Sequence, residues 1–242
     1  MRVTLQPSFV LHSRPYRDTS AIIEIFTAEH GRFSVVARGV RRQGKKGGRG
    51  GLLQPFVPLL ASFSGRTELK TLGAVESAGA PFVLTGERMF SGLYLNELLV
   101  RLLHRHDPHA ELFAAYSDAL RELAVCERPD TVLRPFELLL LRELGYNLAL
   151  DIDGDSGDAI EPGQRYRFNP EQGLVAVVGE PPRGVASYRG SDLLLLAEGQ
   201  YGGAARATAK HLLREVLGHH LGDTPLRSRE LFRAGSGRSA GT

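Results

Sequence analysis

The sequence predicts an α+β protein with a five-stranded β-barrel at the N-terminus and a mainly α-helical C-terminal domain that carries an irregular insert. Residues 1–80 contain five short runs with strand character and no convincing helix, a pattern typical of a small barrel. From about residue 86 the apolar residues recur at helical spacing, and over about 150–190 this spacing is lost. We therefore predict a barrel domain over 1–80, a helical domain over 81–236 and a disordered tail over 237–242.

Turn signals separate the five predicted strands. Gly31 can adopt the positive φ of a tight turn between the second and third runs, so we expect these two strands to pair antiparallel. Most aromatic residues of the runs are expected to fill the barrel core, because a barrel this small needs large apolar side chains. The predicted strands cover residues 5–11, 21–27, 33–38, 56–63 and 69–76.

Apolar residues spaced three and four apart predict the helices of the second domain. Gly145 fits the end of the third helix, since glycine is common just after the last helical residue. An Asp-rich turn, a strand-like run at 174–178 and the pair Pro181-Pro182 interrupt the helical pattern and predict at most a small hairpin. The predicted helical stretches are 89–103, 110–125, 131–144, 193–197 and 204–217, and they are followed by residues 227–232 and a Gly/Ser-rich end.

The composition is that of a folded globular protein, with 42% hydrophobic and 24% charged residues in a chain of 242. No apolar run approaches the roughly 18 residues of a membrane helix, and the N-terminus lacks the features of a secretory signal. We therefore expect a cytoplasmic protein. Cys126 is the only cysteine, so the chain can form neither an internal disulfide nor a cysteine-rich zinc site.

Positive charge is concentrated in the predicted barrel. Residues 1–80 hold twelve Lys/Arg against five Asp/Glu, whereas the remaining residues hold 18 against 22. Over 30–67 there are eight Lys/Arg and no acidic residue, and such a field attracts a polyanion. The stretch 38–51 has six glycines and is expected to be a mobile basic loop. A solvated loop that only aids solubility is the alternative.

Single strands of nucleic acid bind to basic surfaces that also carry aromatic side chains on which bases stack. Tyr16, flanked by Arg14 and Arg17 in a predicted loop, is the aromatic residue that we expect to be exposed and to stack on a base. The cations of the barrel and of the basic loop are expected to contact phosphates. These expected phosphate contacts are Arg14, Arg17, Arg38, Arg41, Arg42, Lys45, Lys46, Arg49 and Lys70.

No pattern of catalytic residues or metal ligands stands out. The turn 151–158 resembles the start of a calcium loop, but Ser156 replaces the required glycine and Pro162 the bidentate glutamate. The histidines at 104–109 and 219–220 lack the spacing and the carboxylate partner of helical metal sites. Phosphate-loop, dinucleotide-binding and nucleophile-elbow motifs are also missing. We therefore expect a binding protein rather than an enzyme, with no metal and no cofactor.

Eight blocks of residues occur in a fixed order along the chain, and together they identify a protein family more specifically than any single motif does. In the predicted barrel they are VLHSRPYRDTS from residue 10, FTAEHGR from 26, ARGVR from 37, GLLQPF from 51 and ELKTL from 68. In the helical part they are YLNEL from 94, FELLLLRELGY from 136 and PLRSRELF from 225. Together these blocks resemble the RecO family, and the resemblance covers nearly the whole chain.

The resemblance implies an OB-fold for the barrel and a role in bacterial recombinational DNA repair. It implies that the protein binds single- and double-stranded DNA and anneals complementary strands. It also implies cooperation with RecR in loading RecA onto DNA coated by single-strand-binding protein. A nucleoid-associated location within the cytoplasm, with no membrane partner, follows from the same resemblance.

The resemblance further implies that the helical domain binds the acidic, phenylalanine-ended tail of single-strand-binding protein. Such a tail needs cations beside an apolar pocket. Arg134 and Arg142 lie eight residues apart, nearly on one face of the predicted helix if Pro135 does not interrupt it. These two residues and Arg121 are the expected tail contacts, with Arg134 as the first choice. Pairing of these arginines with glutamates of the same helix is the alternative.

One difference from the family concerns zinc. Many RecO proteins carry a four-cysteine zinc site after the segment matched here by residues 144–146, and this chain has no cysteine there. We therefore expect no zinc, and residues 151–180 must be held by other contacts.

Two other functions are compatible with the charge pattern. An RNA-binding or ribosome-associated OB-fold protein would have the same basic barrel, and the affinities for single-stranded DNA and for RNA of equal length would separate the two. A nucleic-acid hydrolase with a metal held by Asp151, Asp153 and Asp155 would cleave labelled DNA in the presence of magnesium or manganese.

Overall fold

The structure, a computed structural model, describes residues 2–40, 49–179 and 184–236, so the predicted tail at 237–242 lies outside the described residues. The strands are β1 (Arg2–Tyr16), β2 (Ser20–Thr27), β3 (Gly31–Ala37), β4 (Leu59–Ser64), β5 (Lys70–Ser77), β6 (Arg165–Asn169), β7 (Gly173–Ala176) and β8 (Tyr188–Arg189). The helices are α1 (Arg49–Leu52), α2 (Gly86–Leu102), α3 (Ala110–Val125), α4 (Asp130–Glu143), α5 (Gly190–Ala197), α6 (Ala205–Leu221) and α7 (Ser228–Ser236). None of the helices within the described residues is long and apolar enough to cross a membrane.

Strands β1 to β5 form a closed barrel in the order β1-β2-β3-β5-β4. Neighbouring strands pair antiparallel except β3 and β5, which are parallel. The long strand β1 pairs with β2 through its second half and with β4 through its first half. Register shifts after Val3 and Val10 allow it to bend around the barrel. This barrel is a five-stranded OB-fold, and with the helices that follow it confirms the predicted fold class.

The observed strands agree with the predicted ones in number and order. β2 and β3 form the predicted antiparallel hairpin, and Gly31 has a φ of +64°. β4 begins at Leu59 rather than at residue 56. The reason is local, because Phe56 has a φ of +67° and Pro58 has no N–H to donate to a neighbouring strand.

Alternate residues of the strands point into the barrel and form its core. Phe33 and Phe63 are almost completely buried there, and their ring centroids lie 4.7 Å apart in an edge-to-face arrangement. The other strand residues of this core include Val10, Ile23, Ile25, Val35, Leu59 and Leu72.

Helices α2 and α3 pack against the outside of the barrel. Phe9 and Phe26 lie opposite each other in the β1–β2 register, and their ring centroids are 5.1 and 6.4 Å from that of Tyr116 on α3. The Asn96 side chain of α2 donates a hydrogen bond to the Leu11 carbonyl at 3.0 Å and accepts one from the Tyr116 hydroxyl at 2.5 Å. Burial of these aromatic and polar groups joins the helices to the barrel.

The chain divides into two compact units. The first contains the residues up to Cys126 and those from Leu226 onward, and the second is Glu127–Pro225. The first unit therefore continues past residue 80, where the change of hydrophobic period suggested a boundary. Within it, α7 packs on α2 through Phe90 and Phe232, whose ring centroids lie 5.7 Å apart.

In the second unit, α4 and α5 pack against α6, and three antiparallel strands form a sheet in the order β7-β6-β8. The sequence predicts at most a small hairpin in this insert. β6 and β7 are that hairpin, but β8 adds a third strand. A strand of two residues, Tyr188–Arg189, is too short to produce a periodic signal in the sequence.

Candidate nucleic-acid interface

A groove of about 760 Å³ opens at one end of the barrel. Its walls are the β1–β2 turn, the end of β3 and the start of β5. Four residues that the sequence predicts as DNA contacts line it, namely Tyr16, Arg17, Arg38 and Lys70. The fold thus brings together predicted contacts that lie far apart in the chain.

The strand register explains why these segments meet. Ala21 at the start of β2 pairs with Ala37 at the end of β3, so the β1–β2 turn lies next to Arg38. The parallel pairing of Val35 with Lys70 places the start of β5 beside the same end of β3. Three separate turns of the chain therefore contribute to one surface.

The groove combines positive charge with aromatic and apolar surface. The guanidinium carbon of Arg17 lies 5.1 Å from the centroid of the Tyr16 ring, within the range of a cation–π contact. Arg17 and Arg38 are exposed, and Tyr16 is half-buried, so its ring is less exposed than the sequence suggests. Leu69, which the sequence places in a strand, instead lies just before β5 and adds exposed apolar surface to the groove. These groups can neutralise phosphates and support a stacked base.

Lys70 differs from the two arginines of the groove because it is buried, with 9% of its surface exposed. Its Nζ donates a hydrogen bond to the Thr67 carbonyl at 2.7 Å. Lys70 therefore contributes positive charge from a fixed position in the groove wall, whereas Arg17 and Arg38 can extend towards a ligand.

The predicted basic loop begins and ends beside the groove. Gly39 lines the groove, and a Cβ atom on Gly50 would lie 2.8 Å from the Val40 carbonyl oxygen, so the chain returns next to the point where it departs. Arg14 is exposed two residues before Tyr16 on β1 but does not line the groove. Arg49 begins α1, and its side chain is not among those described. The remaining predicted contacts, Arg41, Arg42, Lys45 and Lys46, lie outside the described residues.

Arg32 belongs to the acid-free stretch of the sequence but not to the open basic surface. It is 8% exposed, and its Nη1 lies 2.9 Å from Glu24 Oε2. Its Nη2 donates to the Leu103 carbonyl at 2.9 Å. Glu24 precedes the acid-free stretch, and only the pairing of β2 with β3 brings it next to Arg32. The charge of Arg32 is therefore neutralised inside the protein.

The three arginines predicted to bind an acidic tail do not lie on one surface of one unit. Arg121 belongs to the first unit and is exposed on α3, where it forms an ion pair with Asp118. Arg142 is exposed on α4 in the second unit. Pro135 lies inside α4 without ending it, so Arg134 and Arg142 share one continuous helix.

Arg134 is buried, with 7% of its surface exposed, and is held by carboxylates. Its Nη1 lies 2.5 Å from Glu137 Oε2, and its Nη2 lies 3.2 Å from Asp130 Oδ1. Arg206 approaches the other Asp130 oxygen at 2.8 Å. Burial alone would raise the pKa of Asp130, but hydrogen bonds and the positive charges of Arg206 and Arg134 outweigh it and lower that pKa. The pairing of Arg134 with Glu137, one of the two alternatives, is thus present.

The Asp-rich turn of the insert is held by hydrogen bonds. Asp153 is 7% exposed, and its carboxylate accepts the N–H groups of Asp155 at 2.9 Å and Ala176 at 3.2 Å. Within the described residues, no three side chains of His, Cys, Asp or Glu lie close enough together to hold a metal ion. The residues present here therefore do not fit the four-cysteine zinc site of the family.

Comparison with known proteins gives matches along almost the whole chain. Residues 1–80 match the family described as "Recombination protein O N terminal", and residues 84–230 match "Recombination protein O C terminal". A "DNA repair protein RecO" from Nitrosococcus oceani is 48% identical over 233 residues, which cover 96% of this chain and 94% of the relative. Proteins of the same name from Pseudomonas aeruginosa, 48% identical over 94% of both chains, and Methylococcus capsulatus, 44% identical over 97% of this chain and 95% of the relative, are also similar.

Proposed function

Because the chain belongs to the RecO family of recombination proteins, we propose that it is a DNA-binding factor of DNA repair. In this proposal it anneals complementary single strands and, with RecR, helps to load RecA onto DNA coated by single-strand-binding protein. Annealing forms and breaks no covalent bond, so the activity requires no catalytic residue.

The groove at the end of the barrel is the observation that carries the proposal. Arg17 and Arg38 are exposed at its rim, Lys70 adds charge to its wall, and Tyr16 offers part of a ring to a base. Phosphate contacts and base stacking on an OB-fold barrel are how such proteins hold single strands without reading their sequence. Gly39 lines the groove and Val40 lies next to Gly50, and the sequence between Val40 and Arg49 carries four Lys/Arg.

The physical basis of annealing is charge neutralisation. Two complementary strands repel each other through their phosphates, and cations on a protein lower this repulsion while the bases remain free to pair. A protein that holds a strand by its backbone, as the exposed arginines of the groove would, leaves the pairing edges of the bases accessible.

An annealing assay on complementary oligonucleotides, with and without single-strand-binding protein, tests the proposal. The double variant Arg17→Glu and Arg38→Glu should slow annealing and lower the slope of log affinity against log salt for single-stranded DNA by about 1.4, or about 0.7 per lost phosphate contact. The control is Arg66→Glu, a charge reversal on an exposed arginine of the same unit that does not line the groove.

Two results would contradict the proposal. If the groove variant and the control have the same salt slope, the DNA site is elsewhere. If the wild-type protein prefers RNA to single-stranded DNA of equal length and does not anneal DNA, the chain is an RNA-binding OB-fold protein instead.

The proposed binding of the acidic tail of single-strand-binding protein is assigned to exposed arginines. Arg142 is exposed on α4, and Arg134 is buried, with its guanidinium paired to Glu137 and Asp130. We expect Arg142→Glu to weaken binding of a fluorescent tail peptide that ends in phenylalanine while leaving binding of naked DNA unchanged. Equal peptide binding by the variant and the wild type would remove Arg142 from the tail site.

A further inference from the structure

The small sheet of the second unit has one buried face and one face that carries arginines. Tyr166 of β6, Leu174 of β7 and Tyr188 of β8 are all at most 4% exposed and form the buried face. Side chains alternate along a strand, so Arg165 and Arg167 of β6 lie on the opposite face. We call this opposite side, with the exposed Arg165 and Arg189 and the half-buried Arg167, the arginine face.

The register brings two of these cations directly together. Arg165 pairs with Arg189 across β6 and β8, and Arg167 follows two residues further along β6. Like charges placed directly opposite each other in a sheet are destabilising. Among the described residues, no carboxylate lies within ion-pair distance of any of the three guanidinium groups. An unbalanced row of three cations is the result.

This row is unusual for its surroundings, because the second unit is acidic. Residues 127–225 contain ten Lys/Arg against 15 Asp/Glu. Three of the ten cations nevertheless lie on one face of a three-stranded sheet. Net charge alone would therefore not attract an anion to this unit, whereas the local charge of the arginine face would.

Two sets of hydrogen bonds hold the arginine face in place. Arg165 donates from Nε to the Ser187 hydroxyl at 2.9 Å and from Nη2 to the Ser187 carbonyl at 2.7 Å, which fixes the plane of its guanidinium. At the β7 edge of the sheet, the N–H of Gly154 donates to the Leu174 carbonyl at 2.7 Å. Arg165 is therefore already positioned before an anion binds, and Arg167 and Arg189 are placed next to it by the strand register.

We propose that the arginine face binds the phosphate backbone of a second nucleic-acid strand while the groove holds the first. The proposal rests on the proposed function, because annealing requires a protein to hold two strands at once. Arg165 and Arg167, two residues apart on one strand, are separated by about 6.6 Å along it and suit successive contacts with an extended chain of phosphates. The groove and the arginine face belong to different compact units, so neither site uses residues of the other.

An acidic peptide fits the arginine face less well than a nucleic-acid backbone does. Peptides that bind by charge usually anchor an apolar side chain as well. The apolar neighbour of Arg167 across the strands is Val175, which is only 8% exposed and offers little surface for such an anchor. Planar guanidinium groups, by contrast, match phosphate oxygens in pairs.

The test compares two full-length double variants. The face variant carries Arg167→Glu and Arg189→Glu, and the matched control carries Lys210→Glu and Arg214→Glu, the same charge change on exposed residues of α6. Titration with a short poly-dT oligonucleotide should give about two oligonucleotides per chain for the wild type and the control and about one for the face variant. The face variant should also anneal complementary strands on the order of tenfold more slowly than the control.

Two further measurements keep the result interpretable. Arg167→Gln with Arg189→Gln removes the charges without reversing them, and we expect about one oligonucleotide per chain here as well. A short acidic peptide that ends in phenylalanine serves as the competing ligand for all variants. If no form of the protein anneals DNA, the proposed function fails, but the number of oligonucleotides bound still decides whether the face is a nucleic-acid site.

Either of two outcomes would overturn the proposal. The first is a face variant that binds as many oligonucleotides and anneals as fast as the control. The second is a face variant that keeps its full oligonucleotide binding and loses only the acidic peptide, which would make the face a protein-binding surface.

Discussion

The contact between Arg17 and Tyr16 joins the two kinds of group that a single-strand site needs. The Arg17 guanidinium carbon is 5.1 Å from the ring centroid, so a cation and an aromatic ring lie next to each other on one surface. Neighbouring residues in a strand point to opposite faces, but the positive φ of Arg17, 53°, turns the chain back and allows this contact.

Replacing Tyr16 tests the stacking role directly. Tyr16→Ala should weaken binding of single-stranded DNA by about 1–3 kcal/mol, the usual contribution of one base stacked on an aromatic ring. Tyr16→Phe keeps the ring and should bind nearly as well as the wild type. Fluorescence anisotropy at one fixed salt concentration measures both affinities, and an alanine variant as tight as the phenylalanine variant would exclude stacking on this residue.

The Asp130 carboxylate makes the second unit sensitive to acid. Arg206 and Arg134 lower its pKa below the usual value of about 3.9 despite partial burial. A lowered pKa in the folded state means that the stabilisation is complete above the unfolded value and is lost as the pH falls through the folded value. At neutral pH, Asp130→Asn should lower the free energy of unfolding by about 1–3 kcal/mol.

Urea unfolding of the wild type and of Asp130→Asn at a series of pH values checks this prediction. The difference between the two proteins should be constant from about pH 7 to pH 5 and should shrink at lower pH, as the wild-type carboxylate becomes protonated. A difference that does not change down to about pH 2 would show that the charge of Asp130 contributes nothing to stability.

At the scale of elements, the β2–β3 hairpin depends on Gly31 for two reasons. Its φ of +64° is one that other residues adopt at a cost, and a Cβ atom there would lie 2.0 Å from the Asp107 carbonyl oxygen in the α2–α3 connection. Gly39 provides the comparison, because its φ is +71° but a Cβ atom there would meet nothing within 4 Å. Both glycines therefore have a positive φ, but only Gly31 lies so close to another segment that a Cβ atom would clash with it.

We therefore expect alanine to be tolerated differently at these positions. Gly39→Ala should cost about 1 kcal/mol of stability, the price of a left-handed conformation for a residue with a Cβ atom. Gly31→Ala should cost about 2 kcal/mol or more beyond that value, because the α2–α3 connection must also move away from the hairpin. Chemical unfolding measures the loss of stability in both variants. Equal losses would show that the α2–α3 connection moves away from the added Cβ atom without cost.

The Asp-rich turn is held by hydrogen bonds between a carboxylate and backbone N–H groups. Asp153 accepts two backbone N–H groups, one of them from Ala176 at the end of β7. Asp153→Ala should lower the free energy of unfolding by about 1–3 kcal/mol, because these partly buried donors lose their acceptor. Dialysis against a mild chelator should leave the unfolding curve of the wild type unchanged, and zinc retained at about one ion per chain would contradict this account.

At the scale of the whole molecule, the boundary of the first unit has a consequence for fragments. Phe9 and Phe26 of the barrel are at most 3% exposed because α3 covers them. A fragment of residues 1–80 would leave both rings in water, at a cost of about 1.5–3 kcal/mol for each side chain. A fragment of residues 1–126 keeps them covered.

Expression of the two fragments tests this boundary. Residues 1–126 should unfold cooperatively and bind single-stranded DNA, whereas residues 1–80 should be less stable and bind a dye that reports exposed apolar surface. As a control, 1–80 with Phe9→Ser and Phe26→Ser should bind less of the dye. A 1–80 fragment as stable as 1–126 would make residue 80 the true domain boundary.

The sequence by itself determined the fold class, the order of the barrel strands and of the long helices, and the region that carries the positive charge, but not the short elements α1 and β8. Both signals are local patterns. Strands are indicated by alternating apolar residues between turn glycines such as Gly31, and helices by apolar residues three and four apart, so neither depends on contacts between distant residues. Tyr16 and Arg17 are also adjacent in the sequence, and this adjacency indicates a turn that carries both a positive charge and an aromatic ring.

Only the tertiary structure decided which of the cations are available to a ligand. Arg32 is removed from the basic surface by Glu24, and Arg206 pairs with Asp130, which lies 76 positions away in the chain. Arg165 and Arg189, by contrast, are 24 positions apart in an acidic segment and become neighbours through the pairing of β6 with β8. Ion pairing and strand pairing between distant residues set the local charge, and a sequence pattern reports only what is near along the chain.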